Sequence, residues 1–394
     1  MQTLIYNTTL VLPDCLIVRG WLLIEAGIIL DFGNETTCPV NKEHTIDGQG
    51  AFLMPGFIDL HSDAIEKIVE PRPNVSFDMR TAMHEADYRL TYCGITTEFH
   101  AISLNDDEFG VRSNEFVRDL YHILLEDREE YLVRHKIHAR LELTSQSGFA
   151  IIEQMILQDE CDLVSLMDHS PGQGQYPSAQ SFCDYVVSTT GRSEAEVDQM
   201  LELKRLQLIH LPERIKRVTT LARDAGLAIA THDDDTVAKV EQWPQLGISM
   251  SEFPTTLEAA TRAHELGLAV CMGAPNVIRG RSSGGNVSAL EAIRAGVADV
   301  LCADYYPIAL LHAVFLLVQQ QALTLPEATR MVTLNAATAV GLDKEYGSLE
   351  RGKIADVILV QCTKQGLPKV QSVFVGGEEK LHLNTMSHDR LQTV

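Results

Sequence analysis

The residues best suited to chemistry in this chain recur in one setting, directly after short apolar runs. His61 and Asp63 follow Phe57-Ile58-Asp59-Leu60, and Glu142 follows Ile137 to Leu141. Asp168 and His169 follow Leu163 to Met167, the run His232 to Asp235 follows Ala228 to Thr231, and Asp304 follows Val300 to Ala303. Imidazole and carboxylate without thiolate suit Zn²⁺, Mn²⁺, Fe²⁺ or Ni²⁺, and the mixture alone does not choose among them. A carboxylate shared by two such ions would complete a binuclear centre, which lowers the pKa of a shared water towards neutrality and clamps an anionic transition state. His61 and Asp63 are two residues apart, so an extended strand turns both to one side. With Glu142, His169, His232 and Asp304 they make the candidate ligand set. Glu98, His100, His138 and His264 are read instead as core or surface residues, the commoner fate of an isolated polar residue beside an apolar run.

Ligands drawn from separate strand ends need strands that run parallel and open onto one face. Eight candidate strands are present: Phe57–Asp63, Thr96–His100, Ile137–Leu143, Leu163–Asp168, Ala228–His232, Ile248–Phe253, Ala269–Gly273 and Val300–Asp304. Helical patterns fall between most of them, at Ser113–Arg134, Glu194–Ala225, Thr236–Gln242, Leu257–Leu266 and Ala289–Ala295. Eight alternating units predict an α/β fold, a (β/α)₈ barrel with its chemistry at the C-terminal strand ends. Residues 307–340 read as helical, with Pro326 fitting a first turn. Residues 1–54 carry short apolar runs broken by Gly20, Gly27, Gly33 and Gly48, and a like texture returns at Ala355–Val360 and Val370–Val375. The predicted organisation is a barrel over 55–344 flanked by a small β-sandwich built from 1–54 and 345–394.

The formal charge of −22 argues against nucleic acid, which needs a basic face. The same field repels an anionic substrate, so capture requires bound cations and local arginines. Arg279-Gly280-Arg281-Ser282-Ser283-Gly284-Gly285-Asn286, just before a helix at Ala289, offers forked cations, hydroxyls and backbone donors as an anion cradle. Arg72, stiffened between two prolines, is a second candidate clamp. Gln173 and Gln175 in Gly172-Gln173-Gly174-Gln175 suit phosphates and sugar hydroxyls. The eight cysteines form no C-x-x-C pair, and most read as buried small hydrophobes of a reducing compartment, not as zinc ligands or disulfides. With no signal-peptide pattern at Met1 to Tyr6, and no apolar run longer than Ile308 to Val318, the expectation is a cytoplasmic protein with no membrane partner.

Met54-Pro55-Gly56-Phe57-Ile58-Asp59-Leu60-His61, Leu334-Asn335-Ala336-Ala337-Thr338-Ala339 and Gly347 to Val357 resemble the amidohydrolase superfamily. That likeness spans nearly the whole chain and implies a metal-dependent barrel flanked by a β-sandwich. The superfamily's usual first-strand motif is H-x-H, whereas this chain has His61-Ser62-Asp63. The variant, together with Pro71-Arg72-Pro73, Met167-Asp168-His169-Ser170-Pro171-Gly172-Gln173-Gly174-Gln175, His232-Asp233-Asp234, Gly273-Ala274-Pro275-Asn276-Val277-Ile278-Arg279-Gly280 and Ala303-Asp304-Tyr305-Tyr306-Pro307, is similar to the PhnM family of phosphonate catabolism.

The resemblance implies hydrolysis of α-D-ribose 1-methylphosphonate 5-triphosphate to the 5-phosphate and diphosphate, in the carbon–phosphorus lyase pathway. It implies two metal ions, zinc first among the candidates, held by His61, Asp63, Glu142, His169, His232 and Asp304, with Glu142 as bridge. A metal-bound hydroxide would attack the α-phosphorus, with Asp304 as proton acceptor. A homodimer, working beside other phosphonate-pathway proteins, completes the expectation. The family pattern carries a histidine where this chain has Ser283, which bears on substrate identity more than on reaction class. Two rival readings are an amidohydrolase that opens a cyclic amide or deaminates a purine, and an inactive barrel serving as a scaffold.

Overall fold

The computed structural model describes residues 2–39, 44–73, 75–105, 113–168, 179–190, 192–207, 210–282 and 285–383. One sheet comes from both chain ends: β1 (Gln2–Val11), β2 (Leu16–Glu25), β3 (Ile28–Asn34), β4 (His44–Asp47) and β5 (Phe52–Pro55), joined by β14 (Val357–Cys362), β15 (Pro368–Val375) and β16 (Glu378–His382). Its order is β16-β15-β14-β5-β1-β2-β3, and β1 also holds β4, so the sheet forks at β1. Ile5, Leu22, Leu53, Val357, Leu359 and Phe374 form its own apolar core.

The other eight strands are β6 (Phe57–Ser62), β7 (Ile95–Leu104), β8 (Arg134–Glu142), β9 (Leu163–Met167), β10 (Ala228–His232), β11 (Met250–Glu252), β12 (Ala269–Gly273) and β13 (Val300–Cys302). They lie in chain order and pair in parallel. The seam between β6 and β13 is closed by backbone hydrogen bonds from Asp304 N to His61 O (2.9 Å) and from Asp63 N to Asp304 O (3.0 Å). Candidate ligand residues thus also close the barrel.

The interior is packed by Ile58, Leu60, Phe99, Leu163, Ala230, Met250, Cys271, Val300 and Cys302. β8 supplies nothing to that cluster. Its apolar residues Ile137, Ala139 and Leu141 face the helical layer, which turns the alternate residues His138, Arg140 and Glu142 into the barrel.

Two helical expectations change. Glu194–Ala225 is two helices, Glu194–Gln207 and Leu211–Asp224, because Pro212 lacks an N–H and fits the opening turn of the second. The helix expected over Ser113–Arg134 ends at Glu126, and Arg134 already belongs to β8. Helices Ala309–Gln319, Leu325–Arg330 and Leu334–Ala339 follow β13, the second opened by a Thr324–Glu327 capping box with Pro326 in its first turn. Among the described residues, no helix is long and apolar enough to cross a membrane.

Candidate metal centre at the barrel mouth

A bulge sets the first ligand. Asp59 pairs with Glu98 and Ser62 with His100, so β6 spends three steps where β7 spends two. The extra residue lets Leu60 join the interior cluster while His61 also turns inwards. Strand alternation stops at Ser62, and Asp63 is instead the residue that starts helix Ala64–Val69. The expected period-2 pairing of His61 with Asp63 is therefore replaced by a bulge followed by a helix start.

His61 Nδ1 lies 3.1 Å from Glu252 Oε1, with both side chains buried. His138 makes an edge-on ring contact with His61, at 5.1 Å between centroids. Its Nδ1 is 2.9 Å from the carbonyl of Leu60, a bond that needs the proton on Nδ1 and leaves Nε2 with a lone pair facing Glu252 Oε2 at 3.8 Å. Among the described residues, neither His138 Nε2 nor Glu252 Oε2 has a hydrogen-bond partner. Ligand atoms of His61, His138 and Glu252 all lie within 4.8 Å of one another. Burial drives the His138 pKa down to about 3, so its imidazole is neutral, and raises that of Glu252 against the pull of His138. Two imidazoles, one carboxylate and buried atoms without partners among the described residues are a donor set that fits a divalent metal.

Beside this group lie further strand-end residues, with His232 the register partner of Glu252. His232 sits 5.4 Å from His61 between ring centroids, its Nδ1 3.1 Å from Asp233 Oδ2 and its Nε2 3.3 Å from Arg140 Nη2. Phe253 presses edge-on against both rings, at 4.9 and 5.1 Å. Glu142 is fully buried and accepts a hydrogen bond from Thr144 Oγ1 at 3.0 Å. Burial, and then the negative charge of Asp63, lift the Asp304 carboxyl to about 7, with Arg140 opposing. Asp233, Phe253 and Asp304 all take left-handed backbone, with φ of 55°, 51° and 56°. Such conformations cost of order 1 kcal/mol each in non-glycine residues, and their grouping at the ends of β10, β11 and β13 marks the face where side chains are aimed at a cost.

His61, Glu142, His232 and Asp304 thus lie on one face, with Asp63 beside Asp304. His169, Gln173, Gln175 and Ser283 lie outside the described residues. Arg279 closes helix Ala274–Arg279 and reaches the Tyr305 hydroxyl at 3.5 Å, next to Asp304. Arg281 is exposed, Ser282 and Asn286 are half-buried, and the predicted helix follows at Ala289–Arg294. Arg72 is exposed in a tight turn with Val75.

His264 pairs with Asp299 at 3.2 Å, and His100 faces the helical layer, so both are structural as expected. His138 differs from expectation because alternation along β8 points it inwards. Arg140 and Glu252 were not singled out from sequence. The signal for Arg140 is His-x-Arg-x-Glu alternating with Ala139 and Leu141 along β8, whereas Glu252 ends a three-residue strand and carries none.

A model of the amidohydrolase family matches residues 207–380. The chain is 36% identical over 363 residues to the alpha-D-ribose 1-methylphosphonate 5-triphosphate diphosphatase of Escherichia coli strain K12, across 90% of this chain and 94% of that one. An imidazolonepropionase of Pseudomonas putida is 22% identical over 407 residues, covering 93% of each chain. An amidohydrolase from an environmental sample of the Sargasso Sea matches in fold, with a TM-score of 0.66 at 14% identity over 97% of this chain and 93% of that one. With identity at this level along nearly its full length, the chain belongs to the amidohydrolases and, within them, to the PhnM family of the Escherichia coli diphosphatase.

Proposed function

We propose that this protein hydrolyses α-D-ribose 1-methylphosphonate 5-triphosphate to the 5-phosphate and diphosphate. The observation that carries this is the 36% identity to a diphosphatase of that name over 90% of the chain. Buried imidazoles and carboxylates at the barrel mouth supply the matching chemistry.

The proposed cofactor is a pair of divalent ions, zinc first and manganese, iron or nickel as alternatives. His61, Asp63, Glu142, His169, His232 and Asp304 would hold them, joined by His138 and Glu252. When bound, such ions lower the pKa of water and neutralise phosphoryl charge. The rest falls to the chain. Asp304 takes the proton of the water that attacks the α-phosphorus, the bond from that phosphorus to the bridging oxygen breaks, and diphosphate leaves. Phe253 and the packed interior below close the floor of the site to bulk water. Arg279 and Arg281 stand at the rim, where the diphosphate would leave.

Phosphorus NMR of the metal-loaded protein with the triphosphate in ¹⁸O-water tests the reading. The expected result is free diphosphate, with label in the 5-phosphate. Label in the diphosphate, or turnover confined to cyclic amides, would overturn it.

A further inference from the structure

Arg140 is an arginine inside the barrel, and nothing in the catalytic outline above uses it. It lies on β8 between His138 and Glu142, only 6% exposed. A guanidinium keeps its charge at every pH the protein meets, so burial cannot be relieved by losing a proton. An uncompensated buried charge costs several kcal/mol, and buried arginines normally sit in bidentate contact with an anion.

Arg140 has no such contact. Among the described residues its hydrogen bond is from Nη2 to the imidazole nitrogen of His232 at 3.3 Å, and its buried Nε–H has no acceptor. Its field does reach the site, since it favours the charged forms of Glu252 and Asp304 and disfavours that of His138. A fixed cation with unspent donors, set among His232, Asp304 and Glu252, is a recognition element awaiting a negatively charged partner.

We infer that Arg140 binds the non-bridging oxygens of the phosphoryl group under attack. Resting on the phosphoanhydride reading above, this assigns the central anion contact to a buried residue rather than to the exposed Arg72, Arg279 and Arg281. As the α-phosphorus gains its fifth oxygen, charge grows on those non-bridging oxygens, and a preset guanidinium shielded from water stabilises that change most. Arg140 is in this sense catalytic, and its effect belongs mainly to kcat.

The test compares wild type with Arg140→Lys and Arg140→Ala, each metal-loaded and checked for folding by circular dichroism. Loss of one preset donor typically lowers kcat by about 10²–10³-fold, and that is the fall expected for Arg140→Ala. Added guanidinium should restore part of it, and Arg140→Lys, a point charge without the fork, should stay at least about tenfold slow. Calorimetric titration with inorganic phosphate, which matches the phosphoryl group under attack, should show weaker binding to both variants, while metal content by atomic emission stays at the wild-type level.

Wild-type kcat and phosphate affinity in a folded variant would overturn the inference. Loss of metal without loss of phosphate affinity would also overturn it, making Arg140 a positioning residue for His232. A wild-type protein that releases no diphosphate from the triphosphate would sink the functional reading alone, and the phosphate titration would still decide the role of Arg140. If Arg140→Ala fails to fold, Arg140→Lys carries the same comparison.

Discussion

His100 and His138 look alike in the sequence, each a histidine within an apolar strand, and the side of the barrel wall decides their roles. His138 faces in, towards His61 and Glu252. His100 faces out, its ring stacked on His135 at 5.1 Å and 6° from parallel, its Nε2 2.9 Å from His135 Nδ1. His135 in turn meets Asp87, which also accepts the backbone N–H groups of Leu132 and Val133. Burial, then the neighbouring His135, push the His100 pKa well below its ordinary value. Below about pH 6.5 the unfolded chain therefore takes up a proton that the folded chain refuses. The contribution of His100 to stability is complete above that pH and is lost as the pH falls. Glutamine at this position keeps a donor and an acceptor but does not titrate. His100→Gln should flatten the rise of unfolding free energy between pH 5 and 6 by up to about 1.4 kcal/mol per pH unit, as read by urea denaturation. An unchanged slope would mean that His100 is charged in the fold. No single sequence contains this distinction, because it depends on which face of β7 and of β8 each side chain takes in the closed barrel.

Pro55-Gly56-Phe57 was legible as a motif but not as mechanics. Gly56 is the joint between the two sheets: its N–H donates to Asp356 O at 2.9 Å, and the next residue, Phe57, donates to Gly94 O at 2.9 Å. A Cβ on Gly56 would fall onto the Thr96 side chain, with Thr96 Cβ itself only 2.9 Å away. Gly56→Ala should thus cost about 1–3 kcal/mol in thermal or chemical unfolding through overpacking. The cost should shrink when Thr96 is also replaced by Ala, and equal penalties in both backgrounds would show that the contact is not the cause. Strand positions were otherwise readable at this scale, since buried parallel strands are apolar runs and Ala228–His232 and Ala269–Gly273 fall where the pattern put them. What escaped were features made by pairing rather than by composition. The bulge that turns His61 inwards exists only relative to β7, and Glu252 ends a strand of three residues, too short to show a period. The set His61, His138 and Glu252 therefore emerges only once β6, β8 and β11 are wrapped into one barrel.

For the whole molecule, a formal charge of −22 surrounds a site proposed to receive a polyanion. Two divalent ions would offset only a small part of it. The remaining field slows encounter, and salt weakens that field most at long range, as the Debye length falls from about 30 Å at 0.01 M to about 10 Å at 0.1 M. Arg140 lies within a few ångströms of His232, a distance over which such screening changes little, so transition-state stabilisation should stay nearly constant while approach improves. The expected outcome is that kcat/KM for the triphosphate rises, by about two- to tenfold, over this range of ionic strength, with kcat nearly unchanged. This is the reverse of the usual electrostatically steered enzyme. Stopped-flow or steady-state rates in a non-coordinating salt, with metal held saturating, provide the measurement. A fall in kcat/KM with salt would instead mean that Arg279, Arg281 and the bound ions project a positive funnel strong enough to overcome the net charge. Capture would then belong to the rim, leaving the buried arginine to act only once the substrate is seated.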